Sequence, residues 1–176
     1  LSEKMRLIQE LYGNGVINEQ KKNELEDEIK KTEQTEEEVI LKYKLIDEDS
    51  LFKMKSNIIA KPLLKPKAEE VPLDVLELVS EEVALNYKMI PIFKKGNVVG
   101  IGMVYPENIL AQNALRFLNR KENFTYEIYL ISFSDLDKIL RQHKTLKRET
   151  KKALAQLGEE KDLPLTKEAE SVVINP

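Results

Sequence analysis

Few residues in this 176-residue chain have the type and spacing that chemistry demands. The sole histidine is His143, and no cysteine exists to join it in a zinc shell. It reads as a solvated residue near a helix end, where the dipole favours it. Asp135 and Asp137 could form an acid/base pair. Ser134-Asp135-Leu136-Asp137 fits a capping box better, because a cap satisfies backbone donors that would otherwise be orphaned. Glu36-Glu37-Glu38 and Glu81-Glu82 read as first-turn acids facing a helix dipole. Gly96, Gly100 and Gly102 belong to a hairpin, with no Lys-Ser/Thr after them, and there is no G-x-x-x-x-G-K-[ST] loop. Nothing in the chain is therefore expected to cradle a nucleoside triphosphate and its magnesium. No catalytic residue, metal site or cofactor is expected, and a small independent enzyme is disfavoured because base, nucleophile and oxyanion donors cannot be assembled.

Composition narrows the class further. Apolar residues make up 41% of the chain, enough for a core, and charged residues 34%, which implies much solvated helix surface. A net charge of −3 argues against nucleic-acid binding, which needs a concentrated cationic footprint. No apolar run approaches the roughly 18 residues of a membrane span, and no signal peptide is visible. Together with the absence of cysteine, this predicts a cytoplasmic location with no direct membrane insertion. The chain begins at Leu1 and not at Met, so it reads as a piece of a longer protein.

The positioning elements follow from periodicity. Met5, Leu7, Ile8, Leu11 and Tyr12 recur at helical spacing, and Gly13-Asn14-Gly15 ends that helix. Val16-Ile17 is a link, and Asn18 caps a second helix through Leu25 and Ile29. Val39, Ile40, Leu41 and Tyr43 make a third helix. Leu45-Ile46 links it to a fourth, capped by Asp47 and holding Leu51, Phe52 and Met54. The halves repeat at an offset of about 29 residues, matching Leu11 with Ile40, Val16-Ile17 with Leu45-Ile46, Asn18 with Asp47 and Leu25 with Met54. Prolines at 62, 66 and 72 mark a connector. Leu76, Val79, Val83 and Leu85 then give an apolar helical face, with Ser80 as a cap. Met89–Phe93 and Val98–Val104 form a hairpin about Lys95-Gly96-Asn97. Tyr105-Pro106 stops it, with Pro106 in the first turn of a helix lined by Ile109, Leu110, Ala114, Leu115, Phe117 and Leu118. Phe124, Tyr126, Ile128 and Leu130 alternate as a strand parallel to the second, placing Tyr126 and Tyr129 on opposite faces. A helix with Leu136, Ile139 and Leu140 closes the unit.

The expected fold is therefore α+β, a helical repeat followed by a small mixed three-stranded sheet packed with helices. The expected divisions are 1–58 for the helical subdomain, 59–72 for the linker and 73–145 for the α/β subdomain. Residues 146–176 would form a charged helix extension and linker towards a missing ATPase domain.

The stretch from Leu73 to Leu118 resembles the N-terminal domain of the hexameric ATPases of type II secretion and type IV pilus assembly. The resemblance rests on Leu76–Leu78, Glu81-Glu82-Val83-Ala84-Leu85-Asn86-Tyr87, the two hairpin strands, Pro106 and Leu115-Arg116-Phe117-Leu118, and it extends over roughly residues 1–145. Tyr105 stands where the family usually has Asp before this proline. The resemblance implies a regulatory or docking domain, not itself an enzyme. It would bind the cytoplasmic part of an inner-membrane platform protein and couple it to the chain's own ATPase domain, peripheral to the inner membrane.

Some relatives bind cyclic di-GMP through a duplicated motif that begins Arg-Leu-Gly and continues to a Gly-(Leu/Val)-Ile link. The resemblance marks Arg6, Leu7, Leu11 and Gly15 as candidate ligand residues and makes cyclic di-GMP sensing the alternative function. Ile8 replaces the motif's first glycine, Thr35-Glu36-Glu37 replaces the second Arg-Leu-Gly, and Lys44 replaces the second link glycine. Glycines let backbone approach a ligand and an arginine pairs with phosphate or stacks on guanine. One arginine beside three glutamates makes a poor phosphate site.

Overall fold

A computed structural model describes residues 5–161 of the chain. Four helices come first: α1 (Arg6–Gly13), α2 (Glu19–Lys31), α3 (Glu36–Lys42) and α4 (Glu48–Ile59). They form two helix-link-helix halves whose backbones repeat bond for bond. The Val16 N–H donates to the Leu11 carbonyl at 2.9 Å, and Leu45 to Ile40 at 3.2 Å. The residue before each is left-handed, Gly15 at φ 74° and Lys44 at φ 52°. The lost link glycine thus leaves the turn intact, at a cost on the order of 1 kcal/mol for the lysine Cβ. Asn18 and Asp47 cap α2 and α4 by accepting from Lys21 and Ser50. Leu7, Ile8, Leu11, Leu25, Val39, Ile40, Leu51 and Phe52 are buried where the halves pack together.

The connector is more ordered than a linker of prolines suggests. Leu64 donates to the Leu130 carbonyl and Leu130 to the Pro62 carbonyl, both at 2.9 Å, so this segment covers the open edge of the last strand. One 3₁₀ turn (Ala68–Glu70) leads to α5 (Leu73–Leu76) and α6 (Glu81–Tyr87). The sequence reads these two as one helix. In the structure Ser80 breaks it, capping α6 by accepting from Val83, and Leu85 turns out to solvent.

Strands β1 (Met89–Lys95) and β2 (Val98–Met103) pair antiparallel, and β2 pairs parallel with β3 (Thr125–Leu130), giving the mixed order β1-β2-β3. Helix α7 (Ile109–Glu122) crosses between β2 and β3, and α8 (Phe133–Lys161) follows. Alternation sends Met89, Val99, Ile101 and Met103 to the face under α7, with Ala111, Leu115 and Phe124. Ile90, Ile92, Leu130 and Ile131 face the other way, into a core continuous with that of the helical repeat. Gly100 and Gly102 sit where neighbours lie across the sheet. A Cβ at Gly100 would fall 2.3 Å from the Phe93 ring, and one at Gly102 would fall 2.6 Å from Ile92. Tyr126 packs with the α7 cluster, whereas Tyr129 packs on Phe93, so the two tyrosines do take opposite faces.

Three local expectations change. Helix α7 starts at Ile109 with Asn108 as its cap, not at Pro106, because the Asn108 side chain accepts from Leu110 and Ala111. Helix α8 is capped by Ser132, whose hydroxyl accepts from the Asp135 N–H, and Ser134 lies inside the helix. His143 is no helix-end residue: α8 runs on to Lys161 and buries the imidazole to 4% exposure. The expected linker beyond residue 161 lies outside the described residues.

Candidate functional site: the seam and the start of the first helix

The helical repeat and the sheet meet at one buried cation. Lys55 lies on the apolar face of α4 beside Leu51 and Phe52, and is 2% exposed. An ammonium has three N–H donors, and here three acceptors meet it at 2.8 Å each. They are the Glu37 carboxylate of α3, the Glu107 carboxylate and the Val104 carbonyl at the end of β2. Glu37 is also buried, at 5%. The Tyr105 ring lies 4.8 Å from the ammonium, and its hydroxyl pairs with the Thr35 hydroxyl at 2.8 Å. Burial, reinforced by the nearby glutamates, pushes the Tyr105 phenol well above its usual range, so it stays neutral. Phe133 closes the seam, edge-on to Phe52 at 5.6 Å and to Tyr105 at 5.8 Å. A cleft of about 640 Å³ opens beside it, lined among others by Thr35, Glu38, Tyr87, Tyr105 and Leu110.

The second feature is the start of α1. The Glu36 carboxyl reaches across from the other half and accepts from Leu7 N–H at 2.8 Å and Ile8 N–H at 3.3 Å through the same oxygen, Oε2. These are two of the N–H groups that every helix start leaves without an internal partner. Burial first, then the neighbouring Glu37 charge, raise the Glu36 pKa to about 8 against the opposing pull of the two N–H donors. The three glutamates that look alike in sequence therefore do three different things. Glu36 sits on α1, Glu37 holds Lys55, and Glu38 completes a capping box with Thr35.

Of the candidate ligand residues, the structure brings Arg6 and Leu7 to this point. The Arg6 guanidinium donates to the Ile58 carbonyl at 3.1 Å. Leu7 and Leu11 are core side chains, and what Leu7 presents to Glu36 is its backbone N–H. Gly15 forms the link turn at the far end of α1.

A third feature is the outer side of α7. The sequence reading makes Ile109, Leu110 and Phe117 lining residues of that helix. Leu115, also read as lining, is buried, together with Ala111, but those three are 70%, 68% and 68% exposed. At helical spacing Ile109, Leu110 and Phe117 share one side with Arg116 and Arg120, across the helix from Ala111 and Leu115.

Comparison with known proteins now decides the kinship. Residues 60–150, just over half of the chain, match the MshEN domain. The chain belongs to the MshEN domain family. Two solved structures show the same fold in other proteins. A structure of MshE with cdg (cyclic di-GMP) is 19% identical, with a TM-score of 0.62, covering 78% of this chain and 97% of that one. The N-terminal domain of XpsE is 12% identical, with a TM-score of 0.60, covering 81% of this chain and 96% of that one. No curated protein matches the chain by sequence. Kinship with the N-terminal domains of secretion and pilus-assembly ATPases therefore stands, as does the α+β fold with its mixed three-stranded sheet. Among the described residues of this MshEN domain, no helix is long and apolar enough to cross a membrane.

Sequence reasoning missed Lys55. The signal was present: a lysine three residues after Phe52, on the stripe that also carries Leu51, Ile58 and Ile59, is out of place unless it is paired. It also missed the reach of Glu36 across the repeat, because contact between two helix starts is a tertiary fact.

Proposed function

We propose that this MshEN domain docks a secretion or pilus-assembly ATPase on the cytoplasmic part of an inner-membrane platform protein, and couples that partner to the motor. On this reading the domain works at the cytoplasmic face of the inner membrane. It is not an enzyme by itself, needs no cofactor, and has its Walker A domain elsewhere in the parent protein. Residues 1–58 and 73–145 act as two packed bodies, with 59–72 between them and 146–176 leading towards the motor.

The observation that carries this reading is the exposed side of α7. Ile109, Leu110 and Phe117 form an apolar centre flanked by Arg116 and Arg120. Stable interfaces put aromatic and aliphatic anchors at the centre and charge at the rim. A partner with an apolar patch ringed by carboxylates fits this face. The test is a pull-down with the immobilised cytoplasmic domain of the platform protein from the same organism. The parent is expected to be retained and Phe117→Glu to be lost. A parent that fails to bind, or a variant retained equally well, overturns the reading.

Cyclic di-GMP sensing is the alternative. The fold shared with MshE, seen with cdg, favours it, and the occupied start of α1 opposes it.

A further inference from the structure

We infer that Glu36 is a built-in plug, a carboxyl group that fills the oxyanion position at the start of α1 and leaves it closed to a phosphate-bearing ligand from outside. The inference rests on the geometry of the helical repeat alone and stands whether or not the docking reading does.

The start of a helix attracts an oxyanion because its free N–H groups converge and its dipole is positive there. At α1 the Leu7 and Ile8 N–H groups do converge, and what they converge on is Glu36 Oε2. Glu36 is 6% exposed, and its other oxygen, Oε1, is buried with no hydrogen-bond partner among the described residues. A side chain placed there only for packing would not carry an unpaired oxygen into the interior. The arrangement is that of a carboxyl group bound as a ligand, with one oxygen held by two N–H groups and the other buried and unpaired.

The surroundings fix the rest. On α3 the neighbouring acid is Glu37, which is held by Lys55 of α4. On α1, the Arg6 guanidinium is turned away onto the Ile58 carbonyl. Two buried carboxyl groups beside one ammonium cannot both be charged cheaply, and Glu36, which lacks the ammonium contact, is the one that burial holds protonated. A neutral carboxyl still accepts both N–H bonds through Oε2. An incoming phosphate would have to expel it and then sit beside the Glu37 charge. The pseudo-repeat explains the origin of the plug. Thr35-Glu36-Glu37 occupies in the second half the place of Arg6-Leu7-Ile8 in the first, so the two helix starts face each other.

The test compares the parent, Glu36→Gln and Glu36→Ala, using inorganic phosphate and cyclic di-GMP as probes in thermal melts and titration calorimetry. Glutamine keeps an oxygen on the two N–H groups, so the parent and Glu36→Gln are both expected to ignore the probes. Glu36→Ala vacates the position and is expected to gain several degrees in Tm with millimolar phosphate. A parent that responds as strongly as Glu36→Ala, or a folded Glu36→Ala that does not respond, overturns the plug. If the alanine variant does not fold, amide NMR of the other two proteins decides. The Leu7 and Ile8 amide protons are expected to titrate with pH in the parent and to stay flat in Glu36→Gln. Titration in both or in neither overturns the inference.

Discussion

Lys55→Met removes one ammonium from the seam and keeps its aliphatic stem. In the parent that ammonium is 2% exposed and satisfies two carboxylates and one carbonyl at 2.8 Å each. The substitution leaves Glu37 as a buried carboxylate with no counter-charge and strips a hydrogen bond from the Val104 carbonyl. Glu107, whose side chain is 48% exposed, can turn to water and contributes little. Removing one partner of a buried pair costs about 3–5 kcal/mol. For a domain of this size that lowers Tm by roughly 6–20 °C. In urea it lowers the midpoint by about 1.5–2.5 M at an m-value of ~2 kcal/mol/M. The cost belongs mainly to the stranded Glu37 charge, so Lys55→Met/Glu37→Gln is expected to be more stable than Lys55→Met alone, with a coupling of about 2 kcal/mol in the double-mutant cycle. Urea unfolding of the four proteins at 25 °C measures this. A Lys55→Met loss under about 1 kcal/mol, or additive single effects, would refute the buried pair as the tie between repeat and sheet.

Three further outcomes follow from individual side chains. Because Glu36 holds its proton to about pH 8 when folded and releases it near its ordinary value of 4.5 when unfolded, the folded state binds more protons in that window. Stability therefore falls as pH rises from about 4.5 to 8, by at most on the order of 5 kcal/mol, and Glu36→Gln should flatten the slope in melts across that range. Burial, then Lys147, depress the His143 imidazole below its usual 6.5, against the weaker pull of Glu77 and Glu81. Its contribution is intact above about pH 6.5 and is lost as pH falls through the lowered value, so His143→Leu should lose part of the acid sensitivity of Tm below pH 6.5. Gly102→Val forces side-chain atoms against Ile92 and Ile131 across the sheet and should cost about 1–3 kcal/mol in chemical unfolding, whereas Gly158→Ala, with open space around it, should cost nothing measurable.

What could be read from the sequence tracks how local each determinant is. The caps at Asn18, Asp47 and Ser80, the turn at Gly96 and the 29-residue offset are fixed within a few positions, and all appear in the structure. The parallel pairing of β2 and β3 follows from a helix between two strands. Errors arose where tertiary contact overrides periodicity. A run such as Ile109-Leu110…Phe117 looks like core because it is apolar, but Ala111 and Leu115 on the opposite side of α7 take the sheet face and leave it to solvent. His143 reads as exposed only if α8 ends near it, and α8 runs on to Lys161. The contacts of Lys55 and Glu36 cannot be read from the sequence because their partners lie 18 to 52 positions away, beyond any spacing rule.

The docking reading is tested most directly by titrating the cytoplasmic domain of the cognate platform protein into this MshEN domain by calorimetry, with Phe117→Glu as the control. Saturable binding in the micromolar range or tighter by the parent, weakened at least about tenfold by the glutamate, is the predicted result. No heat from the parent, or equal affinity in the two proteins, would contradict it.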